Sequence, residues 1–199
     1  MDITIDFGSI IEGSNPSEST KNLKGKIMKI IYVHHALREV GNPPSQKDKI
    51  QPLGIQDAET TAHLLKMMSE KSKSTFKAIY TSPYYRCSKT AEIINKYINL
   101  PVYEEPRLNE FNKVFEVIEN GERVTKTETW SECQTRIREA LKDIVNKYDD
   151  GDAVVCVTSG VNITAFIGLA FRIQPSDDLP FPWVPSCSPI GFEIDKSCF

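Results

Sequence analysis

Three short, largely apolar runs constrain the fold of this chain more than any other feature. They are "MKIIYV" (28–33), "FKAIYTS" (76–82) and "DAVVCVTSG" (152–160). A strand has such a continuous apolar pattern when both faces of its sheet are covered. Segments with helical spacing separate the runs, at 54–72, 82–98 and 129–148; a further helix is predicted from Gly160 and a last strand at 189–195. This alternation predicts an α/β fold, a three-layer sandwich whose mainly parallel central sheet is flanked by helices.

The first 26 residues differ in composition from the rest of the chain. They are rich in Ser, Asn, Lys and Gly, which predicts a flexible N-terminal extension (1–26) followed by one domain (27–199). They lack the basic start and apolar core of a secretory signal. No apolar run approaches the roughly 18 residues of a membrane span. Five scattered cysteines without a CxxC pair favour a reducing, cytoplasmic (intracellular) compartment.

The charge of the chain limits the class of partner. Its net charge is −3, without a basic excess. Nucleic-acid and membrane-surface binding therefore have no electrostatic support. The sequence does not indicate an oligomeric state.

Polar side chains follow each of the three predicted strands. The segments are "VHHALRE", "YTSPYYR" and "VTSGVN". Ligands of open α/β sheets bind beyond the carboxyl ends of the strands, so we expect these segments to form one site. In the second segment, Pro83 is expected in the first turn of a helix capped by Ser82.

Three other kinds of site are disfavoured. Neighbouring strand side chains point to opposite faces, so we expect no metal pair from the adjacent histidines 34 and 35, and no third ligand has suitable spacing. Cys133 and Arg138 lack the spacing of a cysteine-phosphatase loop. The sequence around Ser159 lacks the G-x-S-x-G pattern of a serine nucleophile.

Taken in order, these segments resemble the histidine phosphatase superfamily, also called phosphoglycerate mutase-like. "VHHALRE" lies where the family has R-H-G, which places His35 at the nucleophile position. "SPYYRCSKTA" is similar to the family's S-P-x-x-R-x-x-x-T-A segment, with Arg86 as a phosphate-binding arginine. "PRLNEF" resembles the segment of the acid, Glu110. The resemblance also includes "QPLGIQDAETTAHLL" and spans residues 28–192.

The chemistry of phosphate monoesters explains why such a site needs these residue types. A neutral imidazole attacks phosphorus and forms a phosphohistidine. Cationic groups bind the oxygens on which charge develops, and a carboxylic acid protonates the leaving oxygen. The resemblance therefore implies no cofactor or metal, and a phosphorylated small molecule or a phosphoprotein as partner.

The chain departs from the family pattern at three positions. His34 replaces an arginine, Ala36 a glycine, and Ser159 the second histidine. Arg38 resembles the later arginine of an R-H-G-E-R variant. The resemblance implies catalytic and phosphate-binding roles for six residues: catalytic His35 and Glu110, with Arg86, Arg38, His34 and Ser159 as phosphate-binding residues.

The substitutions leave two functions open. Loss of one preorganised donor costs on the order of 10²–10³ in rate. The chain is therefore expected to be either an attenuated phosphomonoesterase or a catalytically inactive pseudophosphatase that binds a phospho-ligand or acts as a protein-interaction scaffold.

Overall fold

The computed structural model describes residues 3–4, 27–39, 47–72, 74–111, 115–119, 122–171 and 184–198. Within these ranges lie four α-helices and eight strands. The helices are α1 (Pro52–Lys71), α2 (Tyr85–Ile98), α3 (Trp130–Val145) and α4 (Gly160–Phe171). The strands are β1 (Ile3–Thr4), β2 (Ile27–His34), β3 (Thr75–Thr81), β4 (Val102–Glu104), β5 (Phe115–Glu119), β6 (Glu122–Lys126), β7 (Asp152–Thr158) and β8 (Pro189–Asp195).

Six of these strands form one sheet in the order β1-β8-β2-β7-β3-β4. β2, β7, β3 and β4 run parallel, whereas β8 pairs antiparallel with both β2 and β1. His34 is in register with Thr158, and Thr81 with Val157. The carboxyl ends of β2, β7 and β3 therefore meet at one edge. The predicted α/β fold with a mainly parallel sheet is confirmed.

Both faces of the sheet are covered, as the apolar strands predicted. On one face Met28, Ile30 and Tyr32 of β2 belong to an apolar cluster that includes residues of α3 and α4. On the other face Ile31 and Val33 cluster with residues of α1 and α2. Every residue of β7 is buried. Since alternate side chains of β2 enter different clusters, the strand is fixed in register by packing on both sides.

The predicted start of α2 is wrong. The helix begins at Tyr85, with Tyr84 rather than Ser82 at its N-cap position. The Ser82 hydroxyl instead donates to Asn109 Oδ1 (2.7 Å) and lies 3.3 Å from the Tyr84 N–H. This serine therefore joins the loop after β3 to the segment after β4.

Two parts of the chain add to the predicted elements. The polar region between β4 and α3 contains an antiparallel hairpin, β5–β6, which the sequence pattern did not predict. Ile3 and Thr4, within the predicted extension, pair with β8. The rest of that extension, residues 5–26, lies outside the described residues. None of the described helices is both long and apolar enough to cross a bilayer.

Candidate active site

His35 lies directly after β2. Its backbone N–H donates to Thr158 O (2.9 Å), which continues the ladder with β7 one residue beyond the strand. The imidazole is buried, and its Nδ1 lies 2.9 Å from Ala36 O. A carbonyl can only accept, so Nδ1 carries the proton and Nε2 an unshared pair. Burial, reinforced by His34 and nearby arginines, lowers the pKa of His35 to about 3. The ring is therefore neutral, the form that can act as a nucleophile.

Arg86 lies in the first turn of α2 and is almost fully buried. Its Nε donates to His35 Nε2 (3.1 Å), and its Nη2 forms an ion pair with Glu110. The guanidinium also lies 4.9 Å from the centroid of the Tyr84 ring, within cation–π range. One arginine thus brings together the predicted nucleophile and the predicted acid.

Glu110 follows a short 3₁₀ helix (Pro106–Leu108). The carbonyl of buried Leu108 accepts from Thr158 Oγ1 (2.6 Å) and Asn162 Nδ2 (2.9 Å). These bonds fix the segment against the end of β7 and the start of α4. The Glu110 side chain keeps 28% of its surface exposed, which leaves its carboxylate accessible from solvent.

Arg38 lies further along the loop that carries His35. It forms an isolated bridge with Ile50, and its guanidinium forms an ion pair with the buried carboxylate of Asp48. Burial is the main cause of the lowered pKa of His35, and the charge of Arg38 adds to it. The charge of Arg38 therefore acts on His35, although its guanidinium is paired with Asp48.

His34 contradicts one expectation from the sequence. Its ring lies against that of His35, with centroids 4.5 Å apart at an interplanar angle of 71°. The prediction that the two rings point to opposite faces is wrong because β2 ends at His34, and the alternation of a strand does not extend to His35. His34 Nδ1 donates to Val184 O (2.7 Å).

Ser159 is buried in the turn between β7 and α4. Its hydroxyl accepts from the Asn162 N–H (3.3 Å), as in a helix N-cap. The next residue, Gly160, lies against His34: a Cβ there would be 3.0 Å from His34 Cε1. The ring of His34 therefore occupies space beside the turn where the family pattern has its second histidine.

Thr90 is a site residue that the sequence reasoning did not identify. Its hydroxyl donates to Arg86 O (2.6 Å) and accepts from the Ala36 N–H (2.9 Å). The segment "SPYYRCSKTA" contained the signal, since Thr90 lies one helical turn after Arg86. Ala36 is fully buried and does not have a positive φ, so the backbone here does not require glycine.

Two other features lie apart from these side chains. A cavity of about 390 Å³ lies between α2 and β4, lined by residues such as Ser88, Glu92 and Val102; no site residue predicted from the sequence lines it. The described residues contain no cluster of three or more His, Cys, Asp or Glu side chains that could hold a metal ion.

Comparisons with known proteins agree with the fold. The family model of the histidine phosphatase superfamily (branch 1) matches residues 46–119 and 113–199. The phosphoglycerate mutase of Bacillus anthracis has 16% identity and a TM-score of 0.64, with 86% of this chain and 90% of that chain covered. YhfR of Bacillus stearothermophilus has 22% identity and a TM-score of 0.61 (82% and 90%). The protein histidine phosphatase SixA, complexed with tungstate, has 14% identity and a TM-score of 0.60 (85% and 90%). A search of curated proteins found no match.

Proposed function

This chain belongs to the histidine phosphatase superfamily, and we propose that it hydrolyses phosphate monoesters through a phosphohistidine at His35, at an attenuated rate. The observation that carries the proposal is the contact of Arg86 with both His35 Nε2 and Glu110. It joins a neutral imidazole, a cation and a carboxyl group in one site. A phosphorylated small molecule or a phosphoprotein is the proposed substrate class.

The reaction follows from the tautomer of His35. The Arg86 Nε–H moves from His35 Nε2 to a phosphate oxygen, which frees the unshared pair of Nε2. Nε2 then attacks phosphorus while Nδ1–H stays hydrogen bonded to Ala36 O, which stabilises the positive charge that develops on the ring. The bond from phosphorus to the ester oxygen breaks, and Glu110 in its protonated form gives that oxygen its proton. Glu110, now a carboxylate, then takes a proton from water, which attacks the phosphohistidine and releases phosphate and free His35. Arg86 binds the non-bridging oxygens, where charge is greatest.

The attenuation follows from two substitutions. His34 is a neutral imidazole where the family pattern has a permanent cation, since burial lowers its pKa. Ser159 brings a hydroxyl without charge, and that hydroxyl already caps α4. Loss of one strong donor costs roughly 3–4 kcal/mol, so two weakened donors that partly add correspond to about two to four powers of ten in rate.

The alternative function is a pseudophosphatase that binds a phospho-ligand or a partner protein without turnover. Two observations favour it. The Arg86 Nε–H occupies the unshared pair of His35 Nε2, which must be freed before that nitrogen can attack phosphorus. The family match begins at residue 46, after the segment that carries the two adjacent histidines.

Turnover of a generic aryl phosphate between pH 5 and 8 tests the proposal. Wild type should release the phenol slowly, and His35→Ala should abolish the release. His63→Ala is a matched control, because His63 is an exposed histidine of α1 whose ring contacts Tyr97; its turnover should equal that of wild type. Equal inertness of wild type and His35→Ala would leave only the pseudophosphatase. If wild type turns over the aryl phosphate, the double variant Ser159→His and His34→Arg should turn it over faster than wild type.

The compartment is a proposal as well. Cys87, Cys133, Cys156 and Cys187 are buried free thiols. Unpaired cysteines are typical of reducing compartments, which supports a cytoplasmic location.

A further inference from the structure

His34 is fixed on two sides at the end of β2. Its Nδ1 donates to Val184 O at 2.7 Å, and the edge of the ring lies against Gly160 at the start of α4. The side chain is buried and stacks edge-on against His35. Because the carbonyl fixes the proton on Nδ1, Nε2 is the nitrogen that carries the unshared pair.

The charged side chains around His34 form balanced pairs. Arg86 is paired with Glu110, and Arg38 with Asp48. Both imidazoles are neutral at pH 7, since burial lowers the pKa of each. A phosphate monoester brings nearly two negative charges, and a buried charge without compensation is costly. Binding of a dianion therefore favours the uptake of a proton by the site.

Three groups compete for this proton. His35 Nε2 already accepts from Arg86 Nε, and protonation would lose that bond and place two cations in contact. Protonation of Glu110 would weaken its ion pair with Arg86. Protonation of His34 at Nε2 keeps its hydrogen bond to Val184 O, because that bond uses Nδ1.

The groups that face His34 are consistent with proton uptake by this residue. Burial lowers its pKa most, and the charge of Arg86 lowers it further. The carbonyls of Val184 and Pro185 and the carboxylate of Glu110 raise it. Cys187, whose N–H donates to His34 O, is a neutral thiol because burial raises its pKa to about 12. An anion beside Nε2 adds to the groups that raise the pKa.

We propose that His34 contacts the phosphoryl group and takes up one proton on Nε2 when a tetrahedral dianion binds. It would thus be a cation only in the occupied site, whereas an arginine at this position is charged in both states. This inference rests on the proposed function, because it assigns a role in the same phosphoryl site.

Sulfate is a suitable probe because it is a dianion throughout the range from pH 5.5 to 8.5 and does not titrate itself. Its dissociation constant is measured by calorimetry at fixed ionic strength. If one proton is taken up on binding, the dissociation constant of wild type for sulfate increases about tenfold per pH unit above neutrality. His34→Gln should bind sulfate more weakly and with little pH dependence. His34→Arg should bind with little pH dependence and more tightly than wild type at pH 8.5.

A second readout does not depend on these variants. The chain has three histidines, so ¹⁵N-histidine spectra contain three imidazoles. His63→Gln identifies the control ring, and His34→Gln distinguishes the remaining two. Sulfate at pH 7 should move the Nε2 resonance of His34 from the unprotonated to the protonated range. The corresponding resonance of His63 should not move.

The outcomes separate this inference from the proposed function. Three results would overturn the role of His34 without affecting the proposed phosphoryl site. Sulfate could bind to wild type without pH dependence, or the pH dependence of its dissociation constant could persist in His34→Gln. The third result is protonation of His35 instead of His34. Absence of sulfate binding at every pH, together with absence of aryl phosphate turnover, would overturn the proposed function and the inference with it.

Discussion

The buried neutral state of His35 predicts a specific loss of stability in mild acid. The pKa of His35 is lowered from 6.5 to about 3 in the folded protein, chiefly by burial. Between these two values the unfolded chain binds a proton that the folded chain does not. His35 therefore gives its full stability above pH 6.5, and this stability is lost as the pH falls towards 3.

The size of the effect follows from mass action. Lowering the pH from 7.5 to 5 protonates most unfolded chains at this position and few folded ones, which decreases the free energy of unfolding by about 2 kcal/mol. His35→Gln removes the titrating group, while its side-chain amide can still contact Arg86. Urea unfolding at both pH values should show that wild type loses about 2 kcal/mol more than the variant.

The comparison has an internal control. His63→Gln replaces an exposed histidine of α1 and should lose as much stability as wild type between the two pH values. Equal losses in wild type and His35→Gln would refute the reasoning, since His35 would then be charged in the folded protein or titrate alike in both states.

Two further substitutions test the local packing. Gly160→Ala should decrease the free energy of unfolding by about 1–3 kcal/mol, because its Cβ would meet the ring of His34 at 3.0 Å; Gly191→Ala, whose Cβ meets nothing within 4 Å, is the control, and equal urea midpoints would contradict the contact. Thr129→Ala should cost about 1 kcal/mol by removing the capping box of α3, while Thr135→Ala, in the same helix and exposed, should change stability by less than about 0.5 kcal/mol. A smaller loss for the Thr129 variant than for the Thr135 variant would show that the cap contributes nothing.

The main elements could be predicted because their signals are local. β7 was predicted at 152–160 and runs from Asp152 to Thr158, and β8 has its predicted bounds. The hairpin β5–β6 was missed because its strands have only five residues each, and β6, "ERVTK", contains a single apolar residue and so lacks the apolar pattern on which the other predictions depended. The start of α2 was missed because Ser82 bonds to Asn109, 27 positions away.

The site was predictable to the extent that strand ends determine it. The convergence of the segments after β2, β3 and β7 follows from the parallel sheet, and the resemblance to a family supplied the residue types. The setting of His34 was not predictable, since it depends on Val184, 150 positions later, and on the end of a strand. The ion pair of Arg38 with Asp48 was likewise absent from the sequence signals.

The hydroxyl of Thr90 has a consequence for the evolution of this protein. It ties the backbone at Ala36 to the backbone at Arg86, so the nucleophile segment and the arginine helix are held together by contacts that involve neither His34 nor Ser159. Substitutions at those two positions leave the two hydrogen bonds of Thr90 in place. Drift of activity and retention of architecture are therefore separable here, and a lineage could lose or regain turnover by side-chain changes alone.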